Sequence, residues 1–208
     1  MGCTARDVAG ALRAAAAVVA EHRDELVELD RAIGDADHGE NLNRGFTAVV
    51  STLDSGEPET PGAVLKAAAT TLISKVGGAA GPLYGTAFLR AATAVGDASE
   101  LDGAAVVAAL RAGLAGVQAR GKAVEGDATM VDALLPAVAA AEEAGGDPAA
   151  VLAAAAAAAE KGAESTVPLV ARKGRASYLG ERSAGHLDPG ARSTALILRA
   201  FADAAGAA

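Results

Sequence analysis

The sequence predicts an all-α fold, eight antiparallel helices in a closed bundle or barrel with the functional site in loops at one end. Three observations lead there. Alanine, the strongest intrinsic helix former, dominates the chain. Aromatics are only 2% of residues, and no sustained alternation of Val, Ile, Thr and aromatic side chains marks a sheet. Glycine, proline and capping residues then cut the chain into segments of comparable length with short connections, the pattern of antiparallel neighbours.

Each helix follows from that punctuation. The capping box Thr4-Ala-Arg-Asp7 opens the first, expected to run to about Asp30. The second follows Gly39 and ends near Leu53, before the turn-rich stretch Asp54-Ser-Gly-Glu-Pro-Glu-Thr-Pro61-Gly62. A third runs from about Ala63 to Val76, and a fourth from Pro82 to Val95. Asp102 to Arg120 gives the fifth, Thr129 to Ala144 the sixth, and Pro148 to about Val167 the seventh. After a long glycine-bearing loop, Ala191 to Ala205 forms the eighth. The low-complexity tract Ala153–Ala159 reads as a helix with closely packed small side chains. No linker or repeat divides the chain, so residues 1–208 are read as one domain.

Composition excludes several classes. Cys3 is the single cysteine, which leaves no disulfide framework and no Cys/His zinc spacing. Arg6, Asp7 and Arg13 interrupt the first apolar stretch before a secretory core forms, and the longest apolar run, Val151–Ala159, is too short to span a bilayer. A net charge of -8 and the scarcity of aromatics argue against nucleic-acid binding. The expectation is a cytoplasmic enzyme or enzyme subunit with no membrane partner.

The loops carry the chemistry. Asp30-Arg-Ala-Ile-Gly-Asp35-Ala-Asp37-His-Gly39 sets three carboxylates where one helix ends and another begins. Magnesium and calcium prefer such hard oxygen ligands, and the unpaired amides of the following helix start, at Gly39 and its neighbours, form an anion site beside them. An EF-hand is rejected, because the twelfth loop position counted from Asp35 is Phe46 and not Glu. What remains is an open site that needs a partner to complete its ligands. Helix capping alone is the competing explanation for the aspartates.

A second loop, Gly77-Gly-Ala-Ala-Gly-Pro82, lets backbone amides approach a phosphate, although a tight helix connection reads the same way. A third, Gly121-Lys-Ala-Val-Glu-Gly126-Asp127, precedes Met130, either a core residue or a flexible apolar surface for a flat base. Gly116-Val-Gln-Ala-Arg-Gly121-Lys122-Ala123 imitates a P-loop but lacks the terminal Ser or Thr and a preceding strand. The fourth loop, from Ala171 to Gly190, collects Arg172, Lys173, Arg175 and Arg182 on glycine hinges. It suits closure over phosphates or, equally, a solvated basic surface. His186 reads as a loop hydrogen-bonding residue.

Together these segments resemble one family: Asp30-Arg-Ala-Ile-Gly-Asp-Ala-Asp-His-Gly39, Asn41-Leu-Asn-Arg-Gly-Phe46, Val76-Gly-Gly-Ala-Ala-Gly-Pro-Leu83, Ala171-Arg-Lys-Gly-Arg-Ala-Ser-Tyr-Leu-Gly-Glu-Arg-Ser183 and Gly185-His-Leu-Asp-Pro-Gly190 look like the nucleotide-binding L subunit of dihydroxyacetone kinase. The resemblance spans essentially the whole chain and implies an eight-helix barrel. It implies magnesium ligands Asp30, Asp35 and Asp37. It also implies ADP or ATP contacts from His38, Gly39, Glu40, Asn41, Ala79, Ala80, Gly121, Met130, Arg175, Asp188, Pro189 and Gly190. Position 80 is often Ser in such loops. Ala80 here leaves only a backbone contact to phosphate.

The resemblance further implies a division of labour. In the phosphotransferase-dependent type, the triose sits on a separate K subunit, and a phosphohistidine donor, the M subunit, recharges ADP in place. Arg175 would neutralise charge as the γ-phosphoryl leaves. A homodimer and a transcription regulator are further partners the family admits. Two alternatives stand beside this: the L component of a kinase for another short keto sugar such as a tetrulose, and an ADP-sensing regulatory protein. Intact Asp30, Asp35, Asp37 and Arg175 favour catalysis.

Overall fold

Capping chemistry decides where most helices begin. In the computed structural model, which describes residues 2–56 and 58–207, α1 (Ala5–Glu21) starts at the capping box of Thr4 and Asp7. A short helix, α2 (Arg23–Ile33), follows at once, then α3 (His38–Asp54). Thr60 caps α4 (Pro61–Lys75) by accepting the Ala63 amide, and α5 (Ala80–Val95) begins inside the glycine loop. Asp102, Thr129, Asp147 and Asp188 cap α6 (Gly103–Gly121), α7 (Met130–Ala144), α8 (Pro148–Glu164) and α9 (Pro189–Gly206). Proline at the first turn explains why α4 and α9 start two residues before the predicted positions. Glu57, in the predicted turn-rich stretch, lies outside the described residues, as do Met1 and Ala208.

Two features depart from the sequence reading. The predicted first helix is broken at His22, whose backbone leaves the helical region at φ -93°, ψ 11°. His22 Nδ1 and Arg192 both bind the Glu25 carboxylate, and that junction turns α2 onto α9. The other is a two-residue ribbon: β1 (Cys3–Thr4) pairs antiparallel with β2 (Glu100–Leu101) at the base of α1.

Eight of the helices close a ring in the order α1, α3, α4, α5, α6, α7, α8, α9 and back to α1, with α2 packed outside this order against α3 and α9. The interior is filled by small and aliphatic side chains, among them Ala9, Leu12, Phe46, Leu72, Val131, Ala137 and Ala155, all fully buried. Phe88 of α5 meets Phe201 of α9, its opposite across the ring, edge to face at 6.3 Å. Among the described residues, no helix is long and apolar enough to cross a membrane.

Consecutive antiparallel helices put alternate connections at opposite ends. The segments 34–37, 76–79, 122–129 and 165–188 therefore share one end, while 55–60, 96–102 and 145–147 share the other. The far end is closed by backbone contact. A Cβ on Gly103 would lie 2.0 Å from the Gly146 carbonyl oxygen, and one on Gly62 2.2 Å from that of Gly96. Gly103→Ala should thus destabilise the fold by about 1–3 kcal/mol through forced overpacking. Gly10→Ala, in α1 with open space around it, should stabilise by roughly 0.5–1 kcal/mol. Thermal unfolding of both variants reads the contrast directly.

Candidate functional site

The end that collects segments 34–37, 76–79, 122–129 and 165–188 also holds a cavity of about 490 Å³. Its acidic side is built by Asp30, in the last turn of α2. One oxygen of its carboxylate, Oδ2, accepts the Asp37 amide at 2.8 Å and the His38 amide at 3.1 Å, which folds the intervening loop back on the helix. Ala36 takes a left-handed backbone, φ 62°, between the two remaining aspartates. The loop so formed gathers Asp30, Asp35 and Asp37 with one oxygen from each within 4.8 Å of the others. Close approach also fixes Gly34, since a Cβ there would sit 2.0 Å from Asp30 Oδ1.

Three carboxylates beside one guanidinium leave two net negative charges. Arg175 supplies that guanidinium, with Nε 3.0 Å from Asp35 Oδ2. An all-oxygen, doubly negative donor set suits a hard divalent cation, so the residues present fit magnesium. Burial holds the His38 imidazole below its ordinary range although Asp30 and Asp37 pull the other way.

The wall opposite combines backbone and apolar surface. Ala79, Ala80, Gly77 and Gly78 line it at the start of α5, while Leu83, Val117, Gly121, Ala123 and Met130 make an apolar lobe. Such a surface takes a flat ring, and the loop amides and the helix N-terminus suit phosphate. Asn41 is buried below the glycine loop. Arg44 Nη2 binds its Oδ1, which leaves the Asn41 amide nitrogen as the group to donate to a ligand.

Of the residues singled out from sequence, Asp30, Asp35, Asp37, His38, Asn41, Ala79, Ala80, Gly121, Met130, Arg175, Asp188, Pro189 and Gly190 all line this cavity. Gly39 and Glu40 do not. Gly39 packs against α2, where a Cβ would meet the Arg23 carbonyl oxygen at 2.2 Å, and exposed Glu40 pairs with Arg23 at 3.5 Å. The P-loop imitation places only Val117, Arg120, Gly121 and Ala123 at the cavity, as part of its wall. His186 is exposed. Sequence reasoning missed Tyr84, Thr129 and Arg120 in the lining. Their only signal was position, within a turn of a predicted helix end facing the site loops.

The fourth loop is more ordered than its glycines suggest. Residues Arg175–Ser183 form a 3-10 segment kinked at Gly180, φ 55°. Buried Ser183 ties its ends by accepting the Ala171 amide and donating to the Gly180 carbonyl. Lys173, 4.0 Å from Asp127, links this segment to the loop before α7.

Comparison with known proteins gives a consistent answer. Residues 32–203 match a family model described as the DAK2 domain. The ADP-binding subunit DhaL of PEP-dependent dihydroxyacetone kinase 1 from Listeria innocua is 45% identical over 183 residues, 88% of each chain. The Escherichia coli K12 ADP-binding subunit DhaL is also 45% identical, over 86% of this chain and 87% of that one. An L-erythrulose 1-kinase from Mycolicibacterium smegmatis is 34% identical over 96% of this chain, which spans 35% of that longer protein. The crystal structure of the C. freundii dihydroxyacetone kinase with AMP-PNP and Mg2+ superposes with a TM-score of 0.73 at 27% identity, covering 98% of this chain and 34% of that one.

Asp188, which caps α9 through the Ala191 amide at 2.7 Å, adds a further acid to this end. Burial pushes its carboxyl up to about 7, with Asp132 and Asp30 adding repulsion and the amides of Ala191 and Gly190 opposing. A raised carboxyl means that the folded chain holds the proton more tightly than the unfolded one. Stability contributed by the protonated form is full below the ordinary carboxylate range and is lost as pH rises through about 7. Asp188→Asn keeps the cap but cannot ionise. In the ligand-free protein with chelator, the variant should melt above the parent at pH 8, with the gap closing by about pH 4.

Proposed function

The chain belongs to the DAK2 domain family, and on that premise we propose that it is the nucleotide-carrying subunit of a dihydroxyacetone kinase of the phosphoenolpyruvate-dependent type. One observation carries the reading: three carboxylates, a glycine-rich helix start, an apolar lobe and Arg175 converge on one cavity at one end of the ring. The 45% identity to ADP-binding subunits along nearly their whole length supports it. L-erythrulose kinases are also relatives, which keeps a tetrulose kinase component as the second reading. They are longer proteins of which this chain spans about a third.

In this reading Asp30, Asp35 and Asp37 hold magnesium, which when bound neutralises and orients phosphate oxygens. The backbone at Ala79, Ala80 and Gly78 would hold the phosphates, and Met130 with Leu83 and Val117, which line the same cavity, would take the base. Arg175, paired with Asp35, would neutralise the charge that develops on the transferred group. ADP stays on this chain as a cofactor. A phosphohistidine on the donor M subunit gives up its phosphoryl group to the β-phosphate of ADP, and the γ-phosphoryl then passes to dihydroxyacetone held by the K subunit. A cytoplasmic location belongs to the same proposal.

Reconstitution tests it. The isolated chain should not phosphorylate dihydroxyacetone from ATP, and adding a K subunit with a recharging donor should give multiple turnovers. Efficient turnover by the isolated chain would refute the division of labour. The metal role is tested separately with Asp35→Asn and Asp37→Asn. If these residues only shape the turn, Asn should change stability by roughly a few tenths of a kcal/mol and leave nucleotide retention at the parent level. As magnesium ligands, either substitution should weaken magnesium-ADP binding by more than about tenfold with helical content unchanged.

A further inference from the structure

Along the cavity wall runs a chain of polar groups in which only His38 and Gly190 are among the expected nucleotide contacts. His38 Nε2, at the start of α3, lies 2.9 Å from Ser193 Oγ. Ser193 Oγ lies 2.7 Å from the Tyr84 hydroxyl, and that hydroxyl 2.9 Å from Thr194 Oγ1. Thr194 Oγ1 donates to the Gly190 carbonyl at 2.8 Å. Ser193 is fully buried, Thr194 is 2% exposed and Tyr84 5%. Tyr84 belongs to α5 and the two hydroxyl residues to α9, across the ring from it, so these bonds tie together the first two turns of three helices that frame the cavity.

The direction of the chain follows from one fixed group. A carbonyl oxygen can only accept, and three hydroxyls reach the Gly190 carbonyl, Thr194 at 2.8 Å, Ser193 at 3.1 Å and Tyr84 at 3.3 Å; the order that follows is the one in which the nearest, Thr194, places its proton there. Tyr84 must then donate to Thr194, Ser193 to Tyr84, and His38 Nε2 to Ser193. No step has a choice once the last is set. Burial pushes the Tyr84 phenol up to about 12, so it keeps the proton the chain requires.

We propose that Tyr84, Ser193 and Thr194 are positioning residues for the nucleotide site, fixing the His38 ring with its Nε2–H pointing into the protein and holding the starts of α3, α5 and α9 in register around the phosphates. This rests on the nucleotide-carrying reading above. The side chains touch no reacting group in the scheme; they act through His38 and through the Gly190 backbone.

The test pairs binding with a spectroscopic signature. The chain has three histidines, so nitrogen-15 imidazole spectra with His38→Gln as the assignment control identify the His38 signals. In the parent, His38 Nε2 should carry a proton; in Ser193→Ala that preference should be lost. Thr194→Val and Tyr84→Phe should each weaken magnesium-ADP binding about tenfold, the scale of one buried hydrogen bond, while Thr194→Ser keeps the hydroxyl and the parent's affinity. Thr71→Val removes another buried hydroxyl, outside the cavity lining, and should bind as the parent does. An unprotonated Nε2 in the parent overturns the inference, as does parent-like binding by both Thr194→Val and Tyr84→Phe. Failure of the parent itself to bind magnesium-ADP overturns the functional reading and this inference with it.

Discussion

Closure of the ring by α9 against α1 is the constraint on which the rest of the structure depends. Only a closed ring of alternating helices brings segments 34–37 and 165–188, distant in sequence, to one end beside 76–79 and 122–129. The closure needs small side chains where helices meet. Ala9 and Ala15 of α1 and Ala191 and Ala195 of α9 are buried with at most 1% exposure, and alanine also supplies the helix propensity. One compositional bias therefore serves both local structure and packing. The apolar surface buried inside the ring provides the main stabilisation, and the loops are left free to carry charge and unusual backbone.

That freedom is used at one end. Ala36, Lys122 and Ala128, the non-glycine residues with positive φ among those described, all lie in the site loops. Each such residue costs on the order of 1–2 kcal/mol, tolerated because neighbouring bonds over-determine the conformation. Asp30 does so for Ala36 by holding the amides of Asp37 and His38. Asp132 does so for Ala128 by accepting the amides of Thr129 and Gly126. The site is thus shaped by buried carboxylates that bind backbone amides, before any of them meets a ligand.

The helices were legible because their signals are local. Thr4 with Asp7, and Pro148 in a first turn, announce themselves by spacing, whereas Pro61 and Pro189 read as loop although each opens a helix. The break at His22 was not legible, because its cause is Glu25 shared with Arg192, a residue 167 positions further on. The two-residue ribbon likewise depends on Cys3 meeting Leu101 from the other half of the chain. At the site, aspartates and glycines stood out by type and spacing, and the structure brings most of them to one cavity. Tyr84 did not stand out, since a tyrosine on a helix face reads as core until Ser193 and Thr194 are seen beside its hydroxyl. Glu40 was named with its neighbours, yet helical geometry turns its side chain toward Arg23.

The most direct test of a metal-held nucleotide at this end is anomalous diffraction from crystals grown with ADP and manganese in place of magnesium. The expected map has a manganese peak within about 2.2 Å of oxygens from Asp30, Asp35 and Asp37, with the ADP phosphates against the same ion. ADP bound in the cavity with the manganese elsewhere, or manganese at the aspartates with no nucleotide beside it, would contradict the central claim.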